Sequence, residues 1–120
     1  MIIKGWVIKG DNRGAKQGYP TANLNRKLAA RKIPKGVYAC LIKKTNKIFR
    51  GVLIYGVPDK NKKSKLEVYF LNLRQNLYHK FITVNIIKKI RPLITFPSKN
   101  EFLKQAKKDV KTAERILNNP

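Results

Sequence analysis

Apolar and polar positions alternate along residues 2–9. Ile3, Gly5 and Val7 fall on one side, and Lys4, Trp6 and Ile8 on the other, which is the two-residue period of a strand. Residues 36–43 and 48–56 form two further apolar runs separated by Thr45-Asn46, the pattern of a hairpin. Residues 65–73 and 81–90, rich in Val, Ile, Tyr and Phe, read as strands as well. Residues 10–20 hold Gly10, Gly14, Gly18 and Pro20 and read as a long loop rather than a tight turn. Lys60 to Lys65 reads as a basic polar loop.

The period changes near the C-terminus. Phe102, Leu103, Ala106, Val110, Ala113, Ile116 and Leu117 recur at helical spacing. Ser98-Lys99-Asn100-Glu101 is a capping box, in which the Ser hydroxyl accepts from the third amide and the Glu reaches back. Asn118-Asn119-Pro120 ends the helix. The pattern therefore predicts several antiparallel strands followed by one amphipathic helix, in a single domain over residues 1–120. Closure into a barrel, with the helix over one opening, would remove the strand edges. Periodicity leaves an open sheet equally available.

Composition narrows the partners. Hydrophobic residues make up 42% of the 120 positions, enough for a core and too many for a disordered chain. Lys and Arg total 28 against 6 Asp and Glu, a net charge of +22, which brings in nucleic acid and anionic surfaces. Lys outnumbers Arg and is scattered from Lys4 to Lys111, whereas bidentate phosphate and guanine recognition uses Arg. A solvated surface with non-specific nucleic-acid binding is the expectation. The aromatic residues, Trp6 included, form no repeated stacking stripe and read mostly as core. Cys40 is the single cysteine, which excludes an internal disulfide; in an apolar run it reads as a buried, inert thiol. No apolar stretch has the length of a membrane span, and the N-terminus lacks a signal-peptide pattern. A cytoplasmic monomer without membrane contact is expected.

Two segments carry candidate chemistry. In the first, Gly10, Gly14 and Gly18 recur every four residues, with Arg13 and Lys16 between them. Such a backbone bends sharply and brings its N–H groups to a bound anion. Thr21 and Asn23 follow on an extended segment, two residues apart and so on one side of it, offering a hydroxyl and an amide oxygen. These suit Mg²⁺, a hard cation that completes its shell with phosphates and water. A nucleotide phosphate site and a flexible loop with a turn at Pro20 both fit. The pattern is not that of a P-loop.

The second segment is Leu66-Glu67-Val68-Tyr69-Phe70-Leu71, an apolar strand with one acid. A carboxylate there needs a partner or a role. Glu67 fits a salt-bridge partner and equally a general base for a substrate hydroxyl. His79, the only histidine, reads as a surface residue at a turn, and no Cys/His cluster could hold a metal.

Taken in order, these residues resemble the riboflavin kinase (flavokinase) family. Gly18-Tyr19-Pro20-Thr21-Ala22-Asn23 is similar to the family's phosphate loop and Pro-Thr-Ala-Asn signature. Pro34-Lys35-Gly36-Val37-Tyr38-Ala39 resembles the strand that follows, and Lys65-Leu66-Glu67-Val68 the segment with the catalytic Glu. Asn76-Leu77-Tyr78 resembles an Asp-Leu-Tyr-Gly motif, and Ile90-Arg91-Pro92 with Phe96 the flavin-side loop; Gln105 and Asp109 on the last helix also fit. The resemblance covers Gly5 to about Leu117.

The resemblance implies a mainly β fold, a six-stranded antiparallel Greek-key barrel with a C-terminal α-helix. It implies ATP and riboflavin as substrates, FMN and ADP as products, and Mg²⁺ or Zn²⁺ as metal. By position, Gly10, Arg13, Gly14, Lys16, Gly18, Thr21, Asn23 and Tyr78 would bind ATP, with Thr21 and Asn23 also at the metal. Glu67 would be the base, and Arg91 and Phe96 would lie by the flavin. Asn76, Tyr69 and His79 depart from the family pattern, as does Ile54-Tyr55-Gly56-Val57-Pro58. No adenylyltransferase domain is visible, so the chain reads as monofunctional. Two other readings stand beside this one: a small basic barrel that binds nucleic acid without catalysis, and a flavin or nucleotide carrier that has lost it.

Overall fold

A computed structural model describes residues 2–8, 21–24, 33–58, 61–71 and 81–118. Six strands run Ile2–Ile8 (β1), Thr21–Leu24 (β2), Gly36–Lys44 (β3), Lys47–Pro58 (β4), Ser64–Phe70 (β5) and Phe81–Arg91 (β6), followed by helix Lys99–Asn118 (α1). All pairings are antiparallel, and the order β1-β2-β5-β4-β3-β6 closes on itself as β6 returns to β1. Neighbours β2–β5 and β3–β6 are not consecutive in the chain, which makes the closed barrel a Greek key.

Alternation decides what faces inward. Ile3, Val7, Leu24, Cys40, Ile42, Leu53, Leu66, Val68, Phe70, Ile82 and Val84 fill the barrel with their own side chains. The intervening Val37, Ala39, Val52, Ile54 and Tyr69 are buried too, but on the outer wall. This is why β3, β4 and β5 read as continuous apolar runs: both faces are covered. β3 and β4 turn through Thr45, which takes the left-handed conformation at φ 55°. Gly51 faces inward where no side chain fits, since a Cβ there would meet Ile42 Cδ1 at 2.5 Å and the Tyr69 carbonyl oxygen at 2.7 Å.

Helix α1 covers the outer wall, laying Phe102, Ala113, Ile116 and Leu117 on Val37, Ala39, Val52, Ile54 and Tyr69. It does not close an opening of the barrel, as the sequence led us to expect. The interior is already filled, and the apolar surface left over lies outside, so the amphipathic helix docks there. Its first turn is capped as expected: the Glu101 amide donates to Ser98 Oγ at 3.2 Å. No helix among the described residues is long and apolar enough to cross a membrane.

Candidate active site on the outer wall

The register aligns five strands in a single cross-strand row. Asn23 of β2 stands opposite Glu67 of β5, Glu67 opposite Ile54 of β4, Ile54 opposite Val37 of β3, and Val37 opposite Arg91 of β6. Ile54 and Val37 belong to the outer cluster, so the row runs along the outside of the barrel. At about 4.8 Å per strand, Glu67 and Arg91 are three steps, roughly 14 Å, apart along the wall. Three polar or charged residues are buried among the described ones: Asn23, Glu67 and Asp109. The first two are in the row, and the third binds its far end.

Glu67 sits on β5 with its side chain 7% exposed, and Lys65 Nζ lies 3.3 Å from its Oε1. The two residues are two apart on one strand face, so the ammonium offsets the cost of burying the carboxylate. Asn23 is one strand away. The backbone of Thr21 stands opposite Tyr69, and its side chain lies outside the described residues. So do Gly10, Arg13, Gly14, Lys16, Gly18 and Tyr78, along with Asp59, Asn76 and His79.

At the other end, Arg91 Nε donates to Asp109 Oδ1 at 2.9 Å and Nη2 to Oδ2 at 2.8 Å. Gln105 Nε2 donates to the same Oδ1 at 3.0 Å, and Arg91 Nη1 to the Pro92 carbonyl at 3.1 Å. The guanidinium carbon lies 5.7 Å from the Phe96 ring centroid, and Phe96 in turn meets Phe102 edge to face. The structure thus brings Arg91 and Phe96 together and adds Asp109 as the residue that orients Arg91. In the sequence, Asp109 is marked only by its fit to the family's last helix. A stronger signal was available, because Asp109 lies three residues after Ala106 and four before Ala113, on the helix's buried face.

Two other buried groups stay outside this chemistry. Burial pushes the Cys40 thiol up, so it stays protonated and inert as expected. Burial also raises the Tyr38 hydroxyl, which donates to the Pro34 carbonyl. Among the described residues no group of three or more His, Cys, Asp or Glu is placed to hold a metal. A hard cation needing few protein oxygens is the type compatible with the Asn23 amide and the Glu67 carboxylate side by side.

The comparisons with known proteins bear on this arrangement. The family model described as riboflavin kinase matches residues 1–117. A bifunctional riboflavin kinase/FMN adenylyltransferase of Buchnera aphidicola is 39% identical over 123 residues, covering 97% of this chain and 38% of that protein. An RNA-binding riboflavin kinase of Bacillus subtilis is 34% identical over 112 residues, covering 91% and 48%. The chain therefore spans less than half the length of these curated relatives. Among solved structures, one described as a macrolide-efflux protein from Streptococcus pneumoniae superposes with a TM-score of 0.82 at 27% identity, covering 94% of this chain and 38% of that one. A riboflavin kinase from Trypanosoma brucei superposes with a TM-score of 0.70 at 20% identity, covering 99% and 80%, a likeness of fold.

Proposed function

The chain belongs to the riboflavin kinase family, and on that premise we propose that it transfers the γ-phosphoryl group of ATP to a ribityl hydroxyl of riboflavin, giving FMN and ADP. The row Asn23–Glu67–Ile54–Val37–Arg91 supports this reading best. It sets a buried carboxylate one strand from a buried amide oxygen. Three strands further on lies a held guanidinium, a span that a ribityl chain and a fused three-ring system together cover.

In this reading Glu67 accepts the hydroxyl proton as the new O–P bond forms, and the bond from the γ-phosphorus to ADP breaks with its electron pair leaving on ADP. The backbone amides and cations of Gly10, Arg13, Gly14, Lys16 and Gly18 hold the phosphates, and Tyr78 lies by the nucleotide. Thr21 and Asn23 would hold Mg²⁺, or Zn²⁺ in its place, which supplies charge neutralisation on the phosphate oxygens. Arg91 and Phe96 orient the flavin. The reading takes residues 1–120 as one kinase domain, acting in the cytoplasm as a monomer, with the +22 surface adding salt-sensitive, non-specific nucleic-acid binding.

The direct test is incubation with riboflavin, ATP and Mg²⁺, followed by chromatography for FMN. FMN formation is expected. Tight flavin binding without FMN, under any metal or nucleotide donor, would establish the inactive-carrier reading instead.

A further inference from the structure

The barrel wall has a second side, away from the helix. There β1, β6 and β3 turn Lys4, Trp6, Phe81, Thr83, Asn85 and Lys43 outward. From the sequence the aromatic residues read mostly as core, and for two of them the tertiary structure overturns this. Trp6 is 58% exposed and Phe81 45%. They stand opposite each other on β1 and β6, with ring centroids 5.3 Å apart in an edge-to-face arrangement. Roughly 7 Å along the strands lies the next outward row, in which Lys4, Thr83 and Lys43 face one another across β1, β6 and β3. The described carboxylates, Glu67, Glu101, Asp109 and Glu114, all lie on β5 or the helix, so this face carries none.

Two exposed rings beside a row of ammonium groups, with no acid near among the described residues, match one kind of partner by charge and by shape. Unpaired bases present π-faces that stack on aromatic rings, and the phosphates beside them attract cations. A duplex hides its base faces and has no use for the rings. Thr83, between Lys4 and Lys43, and Asn85, one outward row further on between Ile2 and Leu41, donate and accept hydrogen bonds without selecting a base, and the cations of the face are lysines rather than base-reading arginines. We propose that the outer face of β1–β6–β3 binds single-stranded nucleic acid without sequence preference, with bases stacked on Trp6 and Phe81 and phosphates on Lys4 and Lys43. This face lies at the opposite end of β6 from Arg91, and the proposal does not rest on the kinase reading.

Trp6 is the only tryptophan of the chain, so its fluorescence reports the site directly. The experiment titrates the full chain with oligothymidylate of about 12 nucleotides, within the site sizes of such surfaces. Quenching of Trp6 that reverses with added salt is expected. Phe81→Ala should weaken binding roughly tenfold through loss of one stacking partner. Lys4→Gln with Lys43→Gln should weaken it and reduce the slope of log affinity against log salt by roughly 1.4. The same charge removed from the helix, as Lys107→Gln with Lys111→Gln, should lower the slope by much less. Circular dichroism verifies that each variant is folded, and if Phe81→Ala is not, the lysine pair carries the test. Binding without quenching, or binding that responds equally to the strand and helix lysines, would overturn the proposal in favour of diffuse counterion release. Quenching by anionic vesicles but not by the oligonucleotide, or self-association abolished by Phe81→Ala, would overturn it in favour of a lipid surface or a second copy.

Discussion

Asp109 holds the Arg91 guanidinium with both carboxylate oxygens, Oδ1 on Nε at 2.9 Å and Oδ2 on Nη2 at 2.8 Å. The pair joins the last residue of β6 to the buried face of the helix, with side chains 14% and 5% exposed. Removing one partner leaves the other buried without compensation. Asp109→Asn should therefore destabilise the protein by about 3 kcal/mol, measured by urea unfolding. Because Arg91 faces the proposed flavin end, the KM for riboflavin should rise more than the KM for ATP. Equal changes in both would make the pair purely structural.

Glu67→Gln keeps the shape of the buried side chain and removes its basicity. The expected result is a fall in kcat of roughly 10²–10⁴-fold with riboflavin affinity nearly unchanged. Steady-state kinetics and flavin fluorescence titration separate the two quantities. A folded Glu67→Gln protein with near-normal kcat would make Glu67 a salt-bridge partner of Lys65 and nothing more.

Thr21→Ala removes one oxygen from the proposed metal and phosphate site. ATP and Mg²⁺ dependence should shift to higher concentrations while the circular dichroism melt stays in place, since only a terminal hydroxyl is lost from a four-residue strand. Unchanged metal dependence would remove Thr21 from the site.

Gly51→Ala tests the packing of the barrel. The added methyl would meet Ile42 Cδ1 and the Tyr69 carbonyl oxygen, and the second is backbone that cannot rotate away. A loss of about 1–3 kcal/mol is expected, read as a lower urea midpoint at constant slope. A midpoint equal to that of the parent would mean that β4 and β5 part more easily than close packing implies.

The sequence by itself determined which residues alternate, where the helix starts, and that one acid stands within an apolar strand. Ile3, Gly5 and Val7 point inward, Ser98 caps the helix, and Glu67 is buried, because these features depend on neighbours two to four residues away. β2 escaped the pattern: Thr21–Leu24 is too short for a period to show, and its strand character comes from pairing with β1 and β5. Register was beyond local reading too. Asn23, Glu67, Ile54, Val37 and Arg91 form a row only once the strands pair in this order and register, bringing together residues up to 68 positions apart. Alternation also separates two faces without saying which is covered. The tertiary structure decided that the helix shelters the wall at β3 and β4, burying Asp109 against Arg91, and that β1 and β6 present Trp6 and Phe81 to water. The physical reason is that one amphipathic helix has one apolar stripe, and it can cover only one side of a barrel whose interior is already full.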